Sequence, residues 1–156
     1  MSIWWSLHLR REAASVPLAR RLLLGTMETA GVDPDISYEL SVALTEACAN
    51  AVEHGGDDGR GGATAAYRVT AYLDGERCRI EVTDAGPGFA HDSAPVRTPV
   101  RPARLPHADA EHGRGLCLIE QLTDHVQIGN KPGRGGAVVS FDKILKWKKD
   151  SPLVAV

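Results

Sequence analysis

The sequence predicts a two-layer α/β sandwich of the α+β class, with helices gathered on one face of a mixed, mostly antiparallel sheet. Three observations predict it. Helical and two-residue apolar spacings succeed one another as strand, helix, helix, strand, strand, long loop, helix, strand, strand. Asp74-Gly75 between two strand-like runs is a hairpin signal. Within those runs Ala71 and Leu73 alternate with Tyr72, and Cys78, Ile80 and Val82 alternate with Arg79 and Glu81, so one sheet face is buried and the other wet.

Residues 3–10 form the first strand, at a sheet edge, with Trp4 and Trp5 facing opposite sides. One is core; the other is either a partly exposed terminal residue or a contact with a second copy. Ser15 to Ala30 is the first helix, with Ser15 as cap, Pro17 in the first turn and Gly31 as stop. Val16, Ala19, Leu23 and Met27 are its buried stripe, and Arg20 and Arg21 lie off it with Arg10 and Arg11 as a solvated face.

The second helix is central. Asp33 caps it, Pro34 suits its first turn, and Gly55-Gly56 ends it. Ile36, Leu40, Ala43, Leu44, Ala47 and Ala51 make its buried face. Glu46 and Asn50, four apart, stack on a neighbouring stripe that packing does not require. Strands follow at 64–73 and 77–83. A Pro- and Arg-rich stretch from Ala90 to His112 has no periodicity and reads as a lid or as disorder. The third helix is expected over 113–123, strands over 125–128 and 137–141, and an exposed tail beyond. One domain over residues 1–145 with a tail over 146–156 is the expected organisation.

Composition narrows the function. The net charge is −2 and gives no case for nucleic acid. No apolar run spans a membrane and no leader pattern opens the chain, so a cytoplasmic protein is expected. Three separated cysteines read as small core residues in a reducing compartment, without zinc spacing. His107, Asp109 and His112 read as loop residues rather than metal ligands. A P-loop is absent, and Gly113-x-Gly115 lacks the third glycine of a dinucleotide site, since position 118 is Leu118.

Three pieces carry chemistry when taken together. Asn50 offers a neutral oxygen suited to a Mg²⁺ already held by phosphates, and Glu46 could accept a proton beside it. Asp84-x-Gly86-x-Gly88 at a strand end pairs an acceptor for an exocyclic amine with glycines that admit a flat ring, although alone it reads as a turn. Gly113-Arg114-Gly115-Leu116 at a helix start suits phosphate, and otherwise is a loop-to-helix junction.

In this order, EACANAVEHG, DAGPGF and GRGLCLI resemble the N box and the two glycine boxes of the GHKL (Bergerat-fold) ATPases, and the chain resembles their anti-sigma-factor serine kinases over residues 3–143. The resemblance implies an ATP–Mg²⁺ site under a lid. It implies Glu46 as catalytic base, Asn50 as magnesium ligand, Asp84 with Gly86 and Gly88 around adenine, and Gly113, Arg114, Gly115 and Leu116 around the phosphates. It implies Arg20 as the contact to a sigma factor or its antagonist protein, and a homodimer that Trp4 or Trp5 would suit. The chain departs from the family at Ala137 and Val138, where threonines are frequent. The expected activity is transfer of the ATP γ-phosphoryl to a serine of the antagonist. A nucleotide-binding interaction module without kinase turnover is the alternative. The ATP-binding half of a sensor histidine kinase is disfavoured, because the chain has no room for a phosphoacceptor helix pair.

Overall fold

A computed structural model describes residues 2–54, 66–84, 110–130 and 136–149. The elements are β1 (Ile3–Arg10), α1 (Ser15–Ala30), α2 (Pro34–His54), β2 (Ala66–Leu73), β3 (Arg77–Asp84), α3 (Ala110–Leu122), β4 (His125–Asn130) and β5 (Ala137–Ile144). The strands make one sheet in the order β1-β2-β3-β5-β4, every pairing antiparallel. β1 is an edge strand, as expected.

The expected alternation holds. Tyr67, Val69, Ala71 and Leu73 of β2 and Cys78, Ile80 and Val82 of β3 are buried, while Arg68, Tyr72, Arg77 and Arg79 are exposed. Trp5 tucks under the helices, where its indole N–H donates to Thr26 Oγ1 at 3.1 Å. Trp4 points the other way and is 65% exposed.

α2 is the middle helix, packed between α1 and α3 over the sheet. Its predicted stripe is buried throughout, with Leu40, Ala43 and Leu44 at 0% exposure. Three alanines at successive turns, Ala43, Ala47 and Ala51, let neighbouring backbones approach closely. The start of α2 is capped as expected, with Asp33 Oδ1 accepting from Asp35 N–H at 2.8 Å. Gly31 ends α1 in the left-handed region at φ 87°, a conformation that favours glycine.

Four expectations need correction. Ser15 is not a cap: it is a buried first-turn residue whose hydroxyl donates to the Glu12 carbonyl at 2.7 Å and meets Tyr67 Oη at 2.6 Å. α3 begins at Ala110, three residues before the expected Gly113, because residues 110–112 include neither proline nor glycine. β5 runs on to Ile144, paired with β3 as far as Arg77. The expected exposed tail starts as a strap: Leu145 is buried, Trp147 bridges Val32, and Trp147 Nε1 donates to the Gly75 carbonyl at 3.1 Å. The glycine pair 55–56, the long loop before Ala110 and the chain beyond Lys149 lie outside the described residues.

Burial raises the thiols of Cys48 and Cys78 to about 12 each, so both stay protonated at any ordinary pH. A thiol reagent at pH 8 should therefore label half-buried Cys117 in the native protein, and Cys48 and Cys78 only on unfolding. Native labelling of Cys48 as fast as that of Cys117 would contradict this packing. Leu44→Ala should cost about 2–5 kcal/mol in urea unfolding, the range for a truncated core leucine.

Candidate functional site

The antiparallel register puts five strand ends at one end of the molecule. Arg10 ends β1 opposite Ala66, Tyr67 of β2 faces Asp84 at the end of β3, and Ala137 opens β5 opposite Asn130 of β4. The C-terminal half of α2 lies at this same end, since Arg11 Nε donates to the Val52 carbonyl at 2.7 Å. The sheet and α2 thereby bring together residues from distant parts of the chain.

Asp84 is buried at 5% exposure in the last position of β3. A carboxylate in such a place needs donors. One is the Ala137 backbone N–H, which reaches Asp84 Oδ1 at 3.1 Å. Ala137 thus contributes through its main chain, a role that no side-chain motif announces. Gly136 just before it has φ 136°, a conformation that L side chains rarely adopt, so the entry into β5 favours glycine.

Glu46 and Asn50 are both half-buried on α2. Across from them stands α3. A Cβ placed on Gly115 would sit 3.1 Å from Glu46 Oε2, so the glycine leaves the room in which the carboxylate lies. Leu116 beside it is core at 4% exposure. Gly113 and Gly115 lie inside α3 rather than ahead of it. The free N–H groups of a helix are those of its first turn, so the contribution of Gly115 here is space rather than a free donor.

The structure therefore brings Glu46 against Gly115 and sets Asp84 at the same end of the sandwich. Gly86, Gly88 and the side chain of Arg114 lie outside the described residues, as do His107 and Asp109 and the side chain of His112. Arg20 is half-buried on α1 and makes no ion pair or hydrogen bond among the described residues. Among the described residues no group of three or more His, Cys, Asp or Glu side chains gathers to hold a metal. No helix of the described residues is long and apolar enough to cross a membrane.

A separate hollow of about 300 Å³ opens on the outer sheet face, lined by Arg77, Arg79, His125, Gln127, Ser140 and Asp142. It shares no residue with the motifs. Its polar groups partly satisfy one another: His125 Nδ1 lies 2.8 Å from Asp142 Oδ1, and Arg79 Nε donates to Ser140 Oγ at 3.4 Å.

The burial of Asp84 gives a prediction. Asp84→Ala leaves the Ala137 N–H without this acceptor and should cost about 1–3 kcal/mol in urea unfolding, the penalty for a stranded buried donor. Asp84→Asn keeps a carbonyl oxygen and should lose less. Equal stability of Asp84→Ala and wild type would show that the bond does not hold the entry to β5.

Comparison with known proteins identifies the family. The family model for the histidine kinase-like ATPase domain matches residues 9–143. The serine-protein kinase RsbW of Bacillus subtilis (strain 168) is 30% identical over 135 residues, covering 86% of this chain and 81% of that protein. The anti-sigma F factor of Thermoanaerobacter sp. (strain X514) is 29% identical over 111 residues, covering 70% of this chain and 73% of that one. Among solved structures, the RsbU and RsbW domains of a Mycobacterium tuberculosis protein superpose with a TM-score of 0.61 at 20% identity. That match covers 91% of this chain and 33% of the longer one, and it speaks to the fold.

Proposed function

The chain belongs to the histidine kinase-like ATPase domains and, within them, to the family of the serine-protein kinases RsbW, and from that premise we propose how its residues act. It is an ATP-dependent protein serine kinase and anti-sigma factor of a bacterial partner switch. Its partners are a sigma factor and the antagonist protein whose serine it phosphorylates, and it regulates transcription without touching nucleic acid itself. The observation that carries the reading is the contact of Glu46 with the space left by Gly115, which joins two of the three motifs at the end of the fold where Asp84 lies.

The residues present fit an adenine nucleotide. Asp84 is a buried acceptor at the sheet end, and Gly115 leaves a cradle that a side chain would fill. Bound ATP supplies the phosphoryl group, and Mg²⁺ supplies the charge neutralisation that such transfer depends on. Asp84 would accept from the adenine amine, with Gly86 and Gly88 beside the ring. Asn50 would give the metal a neutral oxygen, and Gly113, Arg114, Gly115 and Leu116 would border the phosphates. Glu46, one helical turn from Asn50, would take the proton of the attacking serine hydroxyl. Positioning is the chief contribution of all these groups.

Arg20 is the candidate partner contact, a cation of α1 that makes no ion pair among the described residues and that the resemblance singles out. A cytoplasmic homodimer is part of the proposal. Exposed Trp4 stands directly opposite Tyr72 on the outer face of the edge pair β1–β2, an aromatic pair suited to a second copy.

Phosphorylation with γ-labelled ATP and a candidate antagonist tests the reading. Wild type should transfer label to a serine, and Glu46→Ala should be slower by about 10²–10⁴-fold, the usual contribution of a positioned base. Saturable ATP binding with no transfer by wild type would instead support a nucleotide-binding module, which the alanine and valine at 137 and 138 also suit. Gly115→Ala tests the room that the glycine leaves. Its Cβ forces Glu46 Oε2 to shift by a few tenths of an ångström and enters the cradle beside the phosphates, so transfer should fall about tenfold and ATP affinity should fall with it. An unchanged transfer rate in Gly115→Ala would remove the Glu46–Gly115 contact from the mechanism.

A further inference from the structure

The two sides of α2 do different things. Glu46 and Asn50 share one stripe. Cys48 and Val52, also four apart, lie about 200° round the helix from them at 3.6 residues per turn. That opposite stripe is gripped twice. Arg11 Nε donates to the Val52 carbonyl at 2.7 Å, two residues past Asn50. The Tyr67 hydroxyl sits against the Cys48 thiol and 2.6 Å from Ser15 Oγ.

The second grip runs through Ser15, whose hydroxyl donates to the Glu12 carbonyl at 2.7 Å and shares a hydrogen bond of 2.6 Å with Tyr67 Oη. Both grips reach back to one bracket, residues 10–16, which is bonded within itself. Glu12 N–H donates to the Arg10 carbonyl at 2.8 Å, Ser15 N–H to the Glu12 carbonyl at 3.0 Å, and Val16 N–H to the Ala13 carbonyl at 3.2 Å. The bracket is continuous with β1, paired along its length with β2. Arg11 also places a cation in the last described turn of α2, where the helix end is negative.

We propose that Arg11 and Tyr67 are positioning residues that fix the rotation of α2 about its own axis, and so set the direction in which Asn50 and Glu46 face. The proposal rests on the reading of Asn50 as the magnesium ligand. Neither Arg11 nor Tyr67 touches the nucleotide; both act from behind the helix. Past Leu44 the buried residues of α2 are the small Ala47, Cys48 and Ala51, and two polar grips on the back of this part of the helix resist its turning. Its far end is held separately by Asp33, whose N–H donates to the Lys146 carbonyl at 2.8 Å.

The test is titration calorimetry of ATP with and without Mg²⁺, joined to hydrogen exchange of the α2 amides, on the full chain. In Arg11→Ala the gain in ATP affinity from Mg²⁺ should fall about tenfold, as for other groups that orient a metal ligand. Arg11→Lys, which keeps a cationic donor, should restore part of it. In an Asn50→Ala background Arg11→Ala should change the gain no further, because both act through one group. Tyr67→Phe keeps the ring and should lower the gain less than Arg11→Ala. Exchange over residues 46–52 should quicken in Arg11→Ala. Trp147→Phe, which cuts a bond at the other end of the fold, should leave the gain and that exchange unchanged.

Additive effects of Arg11→Ala and Asn50→Ala, or a loss in Trp147→Phe equal to that in Arg11→Ala, would overturn the proposal and leave Arg11 a general stabiliser. If wild type gains nothing from Mg²⁺, the Asn50 reading fails and the positioning of a metal ligand falls with it. Quickened exchange in Arg11→Ala alone would then uphold only the grip on the helix. Wild-type exchange over 46–52 in Arg11→Ala would remove the grip as well.

Discussion

The structure depends on burying one long helix on almost every side while keeping one stripe of it polar. α2 has α1 to one side, α3 to the other and the sheet beneath. Apolar burial supplies the driving force, and the small residues Ala43, Ala47 and Ala51 let the neighbours come close. A helix so placed is a rigid platform. Glu46 and Asn50 ride on it, so their position follows from core packing rather than from a loop.

Antiparallel pairing does the rest of the assembly. Because β2, β3, β5 and β4 all alternate in direction, the end of β3 meets the beginning of β5, and Asp84 finds the Ala137 N–H across the strand gap. The pleat, which turns successive side chains to opposite faces, leaves the outer face to polar and aromatic side chains such as Trp4, Tyr72 and Arg79. Residues 46, 84, 115 and 137 are far apart in the chain. Sheet register and a single helix contact bring them to one end of the fold.

Much of this was legible in the amino-acid sequence because periodicity reports burial directly. The stripes of α1 and α2, the alternation of β2 and β3 and the Asp74-Gly75 turn all follow from local rules. What escaped was tertiary. Ser15 has the side chain of a helix cap, yet its hydroxyl is taken by Tyr67, 52 residues away. α3 starts early because nothing between Ala110 and Gly113 forbids helix, and permission leaves no pattern. Leu145 and Trp147 alternate with Lys146 and Lys148, a two-residue signal that could have revealed the strap among its lysines. At the site, the sequence marks Glu46, Asp84 and Gly115 through motifs that resemble the family's, and their positions at one end of the fold follow from register and helix packing. The Ala137 donor is not marked, since a main-chain N–H is the same in every residue but proline.

The central claim is that α2, the end of β3 and α3 address one adenine nucleotide. Amide resonances of the isotopically labelled protein, followed as ATP and Mg²⁺ are added, test it most directly. The account predicts that residues 46–51, Asp84, Gly115 and Ala137 shift together along one binding curve, while Arg79 and His125 on the outer face stay still. Shifts centred on Arg79, His125 and Gln127, or separate curves for the α2 and α3 amides, would contradict it.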